Sequence, residues 1–298
     1  MFRAPNLPEM AGPGLFAILA SVAAVAGLTT GLGWVLEQQA AWPQHRVLAG
    51  LLGYVVIGLV VAVAANRRLR GGSFGLANQL TLLRSALVCL IGSALLASGQ
   101  APIESWSMSA LVATALALDS LDGHVARRLG LASAFGARFD MEVDALLILI
   151  LTLLVWQAGR ADAWVLAIGL MRYGFVLAGR LCAWLRVPLP PSRRRQTVCA
   201  VQGMALLVCL LPPVTPWIAG LTAGIALAAL AGSFAADLRW LWLAERSSAG
   251  ALAWPVRLIV GSRSPYWRSQ TATCGRVPRG IARATKRAVA TPPGTGLR

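Results

Sequence analysis

Acidic residues are scarce in this chain. Only 11 Asp and Glu stand against 27 Lys and Arg in 298 residues, and 13% of positions carry charge. With 57% apolar residues, so little charge excludes both a disordered chain and an ordinary water-soluble domain. Histidine is nearly absent, at two residues, and the five cysteines (Cys89, Cys182, Cys199, Cys209, Cys274) lack metal-ligand spacing. A zinc site and a disulfide framework are therefore excluded. Strict apolar/polar alternation is missing too, which excludes a membrane β-barrel. Lys286 is the only lysine, so arginine carries the net charge of +16. In a soluble protein that charge would point to nucleic acid; here the arginines cluster between apolar runs, and no nucleic-acid partner is expected.

What the chain has in quantity is long apolar runs. About eight of them suit helices crossing a hydrocarbon core of about 30 Å. They fall near 14–35, 47–65, 81–99, 107–127, 138–157, 162–184, 198–211 and 217–239. The seventh is short and ends at Pro212 and Pro213. The first run lacks the flanks of a cleaved signal and is kept as a span. Arg67, Arg68 and Arg70 follow the second run; Arg127, Arg128 and Arg138 surround the turn after the fourth; Arg186 and Arg193 to Arg195 follow the sixth. The other loops hold little beyond Arg46 and Arg160. Alternate basic loops place both termini and the turn after the fourth span in the cytoplasm of a bacterial-type inner membrane. The expected fold is all-α, a polytopic membrane helix bundle. From 244 to 298 the composition shifts to Arg, Ser, Thr, Gly and Pro. A short interfacial helix at Trp254–Val260 and a disordered basic tail attracted to anionic lipid are expected there.

Against this background the acids are concentrated. Asp119 and Asp122, three apart, share a helix face at the cytoplasmic end of the fourth span; Asp140 and Asp144, four apart, share one at the start of the fifth. A turn between the spans brings the pairs together. Four carboxylates so close repel unless divalent cations neutralise them. Mg²⁺ or Mn²⁺ suits oxygen ligands completed by water and phosphate. Gly123 lets a flat ligand approach the helix, Ala126 keeps the next turn slim, Arg127 offers a forked donor to phosphate, and Gly136 permits close approach one turn before Asp140.

These residues stand as D-x2-D-G-x2-A-R-x8-G-x3-D-x3-D, which resembles the signature of the CDP-alcohol phosphatidyltransferase family (class I). Upstream, Asn78, Thr81 and Arg84 are similar to the N-x2-T-x2-R of that family's first core helix. The resemblance implies a six-helix catalytic core over about 66–243, with 1–65 as two added helices. It implies that Asp119, Asp122, Asp140 and Asp144 hold two metal ions, Mg²⁺ or Mn²⁺, and that Asp144 also takes the proton of the acceptor hydroxyl. Asn78, Thr81, Arg84, Gly123, Ala126, Arg127 and Gly136 would bind the CDP-lipid. The implied reaction moves a phosphatidyl group from a lipid such as CDP-diacylglycerol to an alcohol and releases CMP. Relatives of this kind often form homodimers.

The acceptor is less defined. Arg180, and the pair Arg194 and Arg195 before Thr197, are candidate acceptor or phosphate contacts and slightly favour a phosphorylated acceptor such as glycerol 3-phosphate; inositol, inositol phosphate, serine, choline and phosphatidylglycerol stay open. Arg172, mid-span, is expected in a structural ion pair, and Glu142 is expected to pair with Arg138 four residues earlier. The enzyme rival is a Mg²⁺-dependent intramembrane prenyltransferase, which has no need of the frame of Gly123, Ala126, Arg127 and Gly136. The non-enzymatic rival is a transporter or scaffold with a structural cation site.

Overall fold

The computed structural model describes residues 15–40, 42–68, 75–96, 105–129, 134–182 and 192–250. Among them are eight α-helices and no strand. They are α1 (Leu15–Ala40), α2 (Gln44–Arg68), α3 (Leu76–Ser93), α4 (Trp106–Leu129), α5 (Ala134–Gln157), α6 (Leu166–Leu181), α7 (Arg193–Cys209) and α8 (Pro216–Gly250). Short 3₁₀ turns extend α3 at Ala94–Leu96 and open α6 at Ala163–Val165. All eight expected helices are present, in an all-helical bundle.

Among the described residues, five stretches are long and apolar enough to cross a membrane: Leu15–Gln38, Gln44–Asn66, Asn78–Leu96, Ala163–Leu181 and Pro216–Leu243. The helices that fall short are α4, α5 and α7. On α4 the apolar part is Trp106–Leu121, beyond which come Asp122, Arg127 and Arg128. In α5 the first turns hold Arg138, Asp140, Glu142 and Asp144, while α7 opens on Arg193, Arg194 and Arg195. Polar residues at bilayer depth are costly and mark function, so the three interrupted helices locate the site.

Several boundaries differ from those expected from hydropathy. The start of α3 lies at Leu76, five residues before the apolar run expected from 81, which puts Asn78 on the helix as well as Thr81. The arginine triplet expected in a loop is the first turn of α7. The helix α8 continues to Gly250, past the tail boundary expected at 243. In each case the apolar run marks only the part suited to lipid, while backbone hydrogen bonding continues into the polar flank. The expected interfacial helix and the tail beyond Gly250 lie outside the described residues.

Local chemistry sets the ends. Pro212 and Pro213 follow α7, where a residue without an N–H cannot extend the helix. Pro216 opens α8, where no N–H is needed, and the Ala219 N–H reaches back to the Thr215 carbonyl at 3.0 Å. Packing follows chain order. The pair α1–α2 lies against α3, α3 meets α4 and α5, α5 meets α6 and α7, and α7 lies along α8. Tyr54 on α2 is fully buried and donates its hydroxyl proton to the Val22 carbonyl on α1 at 3.2 Å.

Small residues allow close approach where lipid supplies no hydrophobic drive between helices. At Gly169 of α6, a Cβ would lie 2.8 Å from Leu149 Cα and 2.7 Å from Thr152 Oγ1 on α5. Buried Arg160 donates to the Val214 carbonyl. That bond ties the α5–α6 connection to the α7–α8 connection, at the end of α5 far from Asp140.

Candidate functional site

Three helices meet at one guanidinium. Arg84 projects from α3 with none of its surface exposed. One face of α3 carries Asn78, Thr81 and Arg84 at intervals of three, and all three are buried. The Nη1 of Arg84 donates to Asp119 on α4, and its Nη2 donates to the carboxylate of Asp140 on α5. The same Nη2 lies 2.9 Å from Asp144 Oδ1 and 3.4 Å from the Asp140 carbonyl oxygen. Charge-assisted, forked contacts of this kind are the strong ones.

The carboxylates themselves are partly open. Side-chain exposure is 42% for Asp119, 34% for Asp140 and 42% for Asp144, against 0% for Arg84. One oxygen from each of the three lies within 4.8 Å of the others. Arginine thus closes the inner side of the cluster and leaves its outer side to solvent and ligands. At an effective dielectric of about 20, two unit charges at that separation repel by roughly 3 kcal/mol, before screening by water. Arg84 offsets part of this. The donor set consists of carboxylate oxygens on α4 and α5, both packed against α3, which fits a hard divalent cation such as Mg²⁺ or Mn²⁺.

Of the four acids expected to meet, Asp119, Asp140 and Asp144 come together. Asp122, Gly123, Ala126 and Arg127 continue along α4, and Gly136 lies one turn before Asp140 on α5. The side chains of Asp122, Gly123, Ala126 and Arg127 lie outside the described residues.

The remaining arginines are distributed differently from expectation. Arg172 forms the expected ion pair, with Glu142 at 3.1 Å. Glu142 was expected to pair along its own helix with Arg138; its ion pair instead runs across to α6. Arg180 is exposed in the last turn of α6, where a cation is favoured by the helix dipole. Arg194 pairs with Asp237 on α8, and Arg195 lies 3.6 Å from the other oxygen of the same carboxylate. Cations at a helix N-terminus oppose the dipole, and Asp237 compensates them. Sequence reading missed Asp237, although a lone acid within an apolar run was the signal.

A family model for CDP-alcohol phosphatidyltransferases matches residues 74–234. The chain belongs to the CDP-alcohol phosphatidyltransferase family. The match starts just before α3 and ends within α8, so it contains Arg84 and all four aspartates, while α1 and α2 precede it. Two curated relatives are each named "Probable phosphatidylglycerophosphate synthase", from Mycobacterium tuberculosis strains CDC 1551 / Oshkosh and ATCC 25618 / H37Rv. Each is 34% identical to this family member over 141 residues. That alignment covers 46% of this chain and 66% of the relative. No solved structure matches.

Proposed function

We propose that the chain transfers a phosphatidyl group from CDP-diacylglycerol, or a closely similar CDP-linked lipid, to glycerol 3-phosphate and releases CMP. The observation that carries this reading is the convergence of Asp119 with Asp140 and Asp144 inside 4.8 Å, within the segment that matches the family. The relatives' name supports the choice of acceptor, as do the arginines of α6 and α7.

Asp119, Asp122, Asp140 and Asp144 are the residues that would hold two divalent ions. When bound, the ions neutralise the pyrophosphate and the charge that gathers on departing CMP. Arg84 keeps Asp119, Asp140 and Asp144 in mutual register from the inner side. On the nucleotide side, Asn78 and Thr81 on α3, with Gly123, Ala126, Arg127 and Gly136, bind the CDP portion. Asp144 accepts the proton of the acceptor hydroxyl. The hydroxyl oxygen then bonds to the phosphorus that carries the diacylglycerol. The bond from that phosphorus to the bridging oxygen breaks, and its electron pair leaves with CMP. Arg180, Arg194 and Arg195 attract the phosphate of the acceptor.

A site at the cytoplasmic face of an inner membrane suits both substrates, because the lipid tails stay in hydrocarbon while CDP and glycerol 3-phosphate meet from water. The chain is also proposed to form homodimers; crosslinking in intact membranes would reveal them. The transfer reaction is tested with membranes containing the full chain, CDP-diacylglycerol and glycerol 3-phosphate. Expected is CMP release that needs Mg²⁺ or Mn²⁺ and is lost in Asp144→Asn. No CMP release with any alcohol, or turnover only with a prenyl diphosphate, would sink this reading.

A further inference from the structure

We propose that Gln202 on α7 lines the acceptor pocket, its Nε2 donating a hydrogen bond to an oxygen of the acceptor alcohol beside Asp144. This rests on the transfer reaction proposed above and adds to it a residue that decides which alcohol is taken.

Gln202 is 4% exposed, and its Nε2 has no hydrogen-bond partner. A buried donor left unmade is costly, and in a polar site it points to a ligand. Its location follows from two contacts between α4 and α7. The Ser109 hydroxyl donates to the Leu210 carbonyl at 3.4 Å. A Cβ placed on Gly203 would meet Leu116 Cδ2 at 2.7 Å. Going from 109 to 116 along α4 corresponds to going from 210 to 203 along α7, so the helices are antiparallel. Three residues further on, Asp119 comes level with Ala200, between Cys199 and Gln202. Gln202 is therefore less than one turn deeper than the carboxylates, in a helix that packs on both α4 and α5. Side chains on a helix lean toward its N-terminus. For Gln202 that direction leads to the level of Asp119 and Asp144.

The acceptor, rather than the CDP-lipid, is the ligand this position suits. Arg195, 3.6 Å from Asp237 on α8, stands seven residues earlier, two turns along the same face of α7, and an anionic acceptor entering at that end would share it with Asp237. Asn78 and Thr81, the nucleotide-side residues, are on α3. An uncharged N–H donor below a proton-accepting carboxylate matches a hydroxyl-bearing chain. It would hold one alcohol oxygen while the neighbouring hydroxyl gives its proton to Asp144.

The test uses full-length protein in membranes, with Gln202→Met, which keeps length and removes the donor, and Gln202→Leu as a second variant. KM is measured separately for CDP-diacylglycerol and for the alcohol that supports CMP release, glycerol 3-phosphate first. Expected is a rise of about tenfold in acceptor KM, CDP-diacylglycerol KM within about twofold, and an unfolding midpoint equal to or above wild type. An unchanged acceptor KM in both variants would overturn the proposal while leaving the transfer reaction intact. So would equal losses for both substrates together with a lowered midpoint, the mark of a structural role. Absence of CMP release by wild type overturns the parent reading, and this one with it.

Discussion

Replacing Arg84 by methionine removes a guanidinium that has no exposed surface and leaves three carboxylates, within 4.8 Å of one another, without their shared counter-charge. Breaking a buried ion pair from one side costs about 3–5 kcal/mol. The partial exposure of the aspartates lowers the figure through solvent screening, while the loss of forked contacts to three partners raises it. The net expectation stays near the lower bound, about 3 kcal/mol, which for a chain of this size is a fall in unfolding midpoint of roughly 5 °C. The assay is thermal unfolding of detergent-solubilised protein in EDTA and in excess Mg²⁺. In EDTA the variant should unfold well below wild type. Mg²⁺ should raise its midpoint more than that of wild type, because the cation supplies the charge that arginine no longer does. Arg84→Lys, which keeps the charge but not the fork, should fall between them. A variant as stable as wild type in EDTA, or one that gains no more from Mg²⁺, would refute Arg84 as the counter-charge of the cluster.

Other consequences can be measured directly. Asp144→Asn should cut CMP release at least about a hundredfold, with the folded protein recovered in normal yield; Asp119→Asn and Asp140→Asn should in addition shift the Mg²⁺ or Mn²⁺ dependence to higher concentration. Asp237→Ala frees Arg194 and Arg195 from their shared carboxylate and should lower stability by about 1 kcal/mol, read as a midpoint shift that shrinks in high salt. Gly169→Val puts branched carbon where a first Cβ already lies 2.8 Å from the Leu149 backbone; it should cost about 1–3 kcal/mol and reduce the yield of folded protein, whereas a stable variant would contradict the close α5–α6 contact.

Hydropathy located all eight helices: five are apolar over a length that spans a bilayer and so leave few alternatives to helix, and the other three keep shorter apolar runs beside their polar turns. The same signal misplaced their ends, since it registers lipid compatibility and not hydrogen bonding. Arg193 to Arg195 and Asn78 are helical despite being polar. The pairing of Asp140 with Asp144 was legible from spacing alone, because residues four apart share a helix face. Contacts between helices had no such local signature. Arg84 was identified through its motif, but its placement against Asp119, Asp140 and Asp144 depends on how α3 rotates on α4 and α5. Glu142 shows the limit well. An arginine lies four residues away in its own helix, yet the pairing goes to Arg172, thirty positions on. Asp237 and Gln202 carry meaning only once α7 is laid along its neighbours.

Arg84 also acts as a registration pin. One residue advances a helix by about 100°, so a single insertion in α3 before Arg84 swings the guanidinium off all three carboxylates at once. A matching insertion in α4 or α5 carries its own aspartate off the pin, and no conservative exchange elsewhere repairs the phase. Insertions in the connections between helices leave the phase untouched. Descendants of this chain can therefore lengthen or shorten the stretches between α3, α4 and α5, whereas the helices themselves tolerate exchanges of residues but not changes in their number.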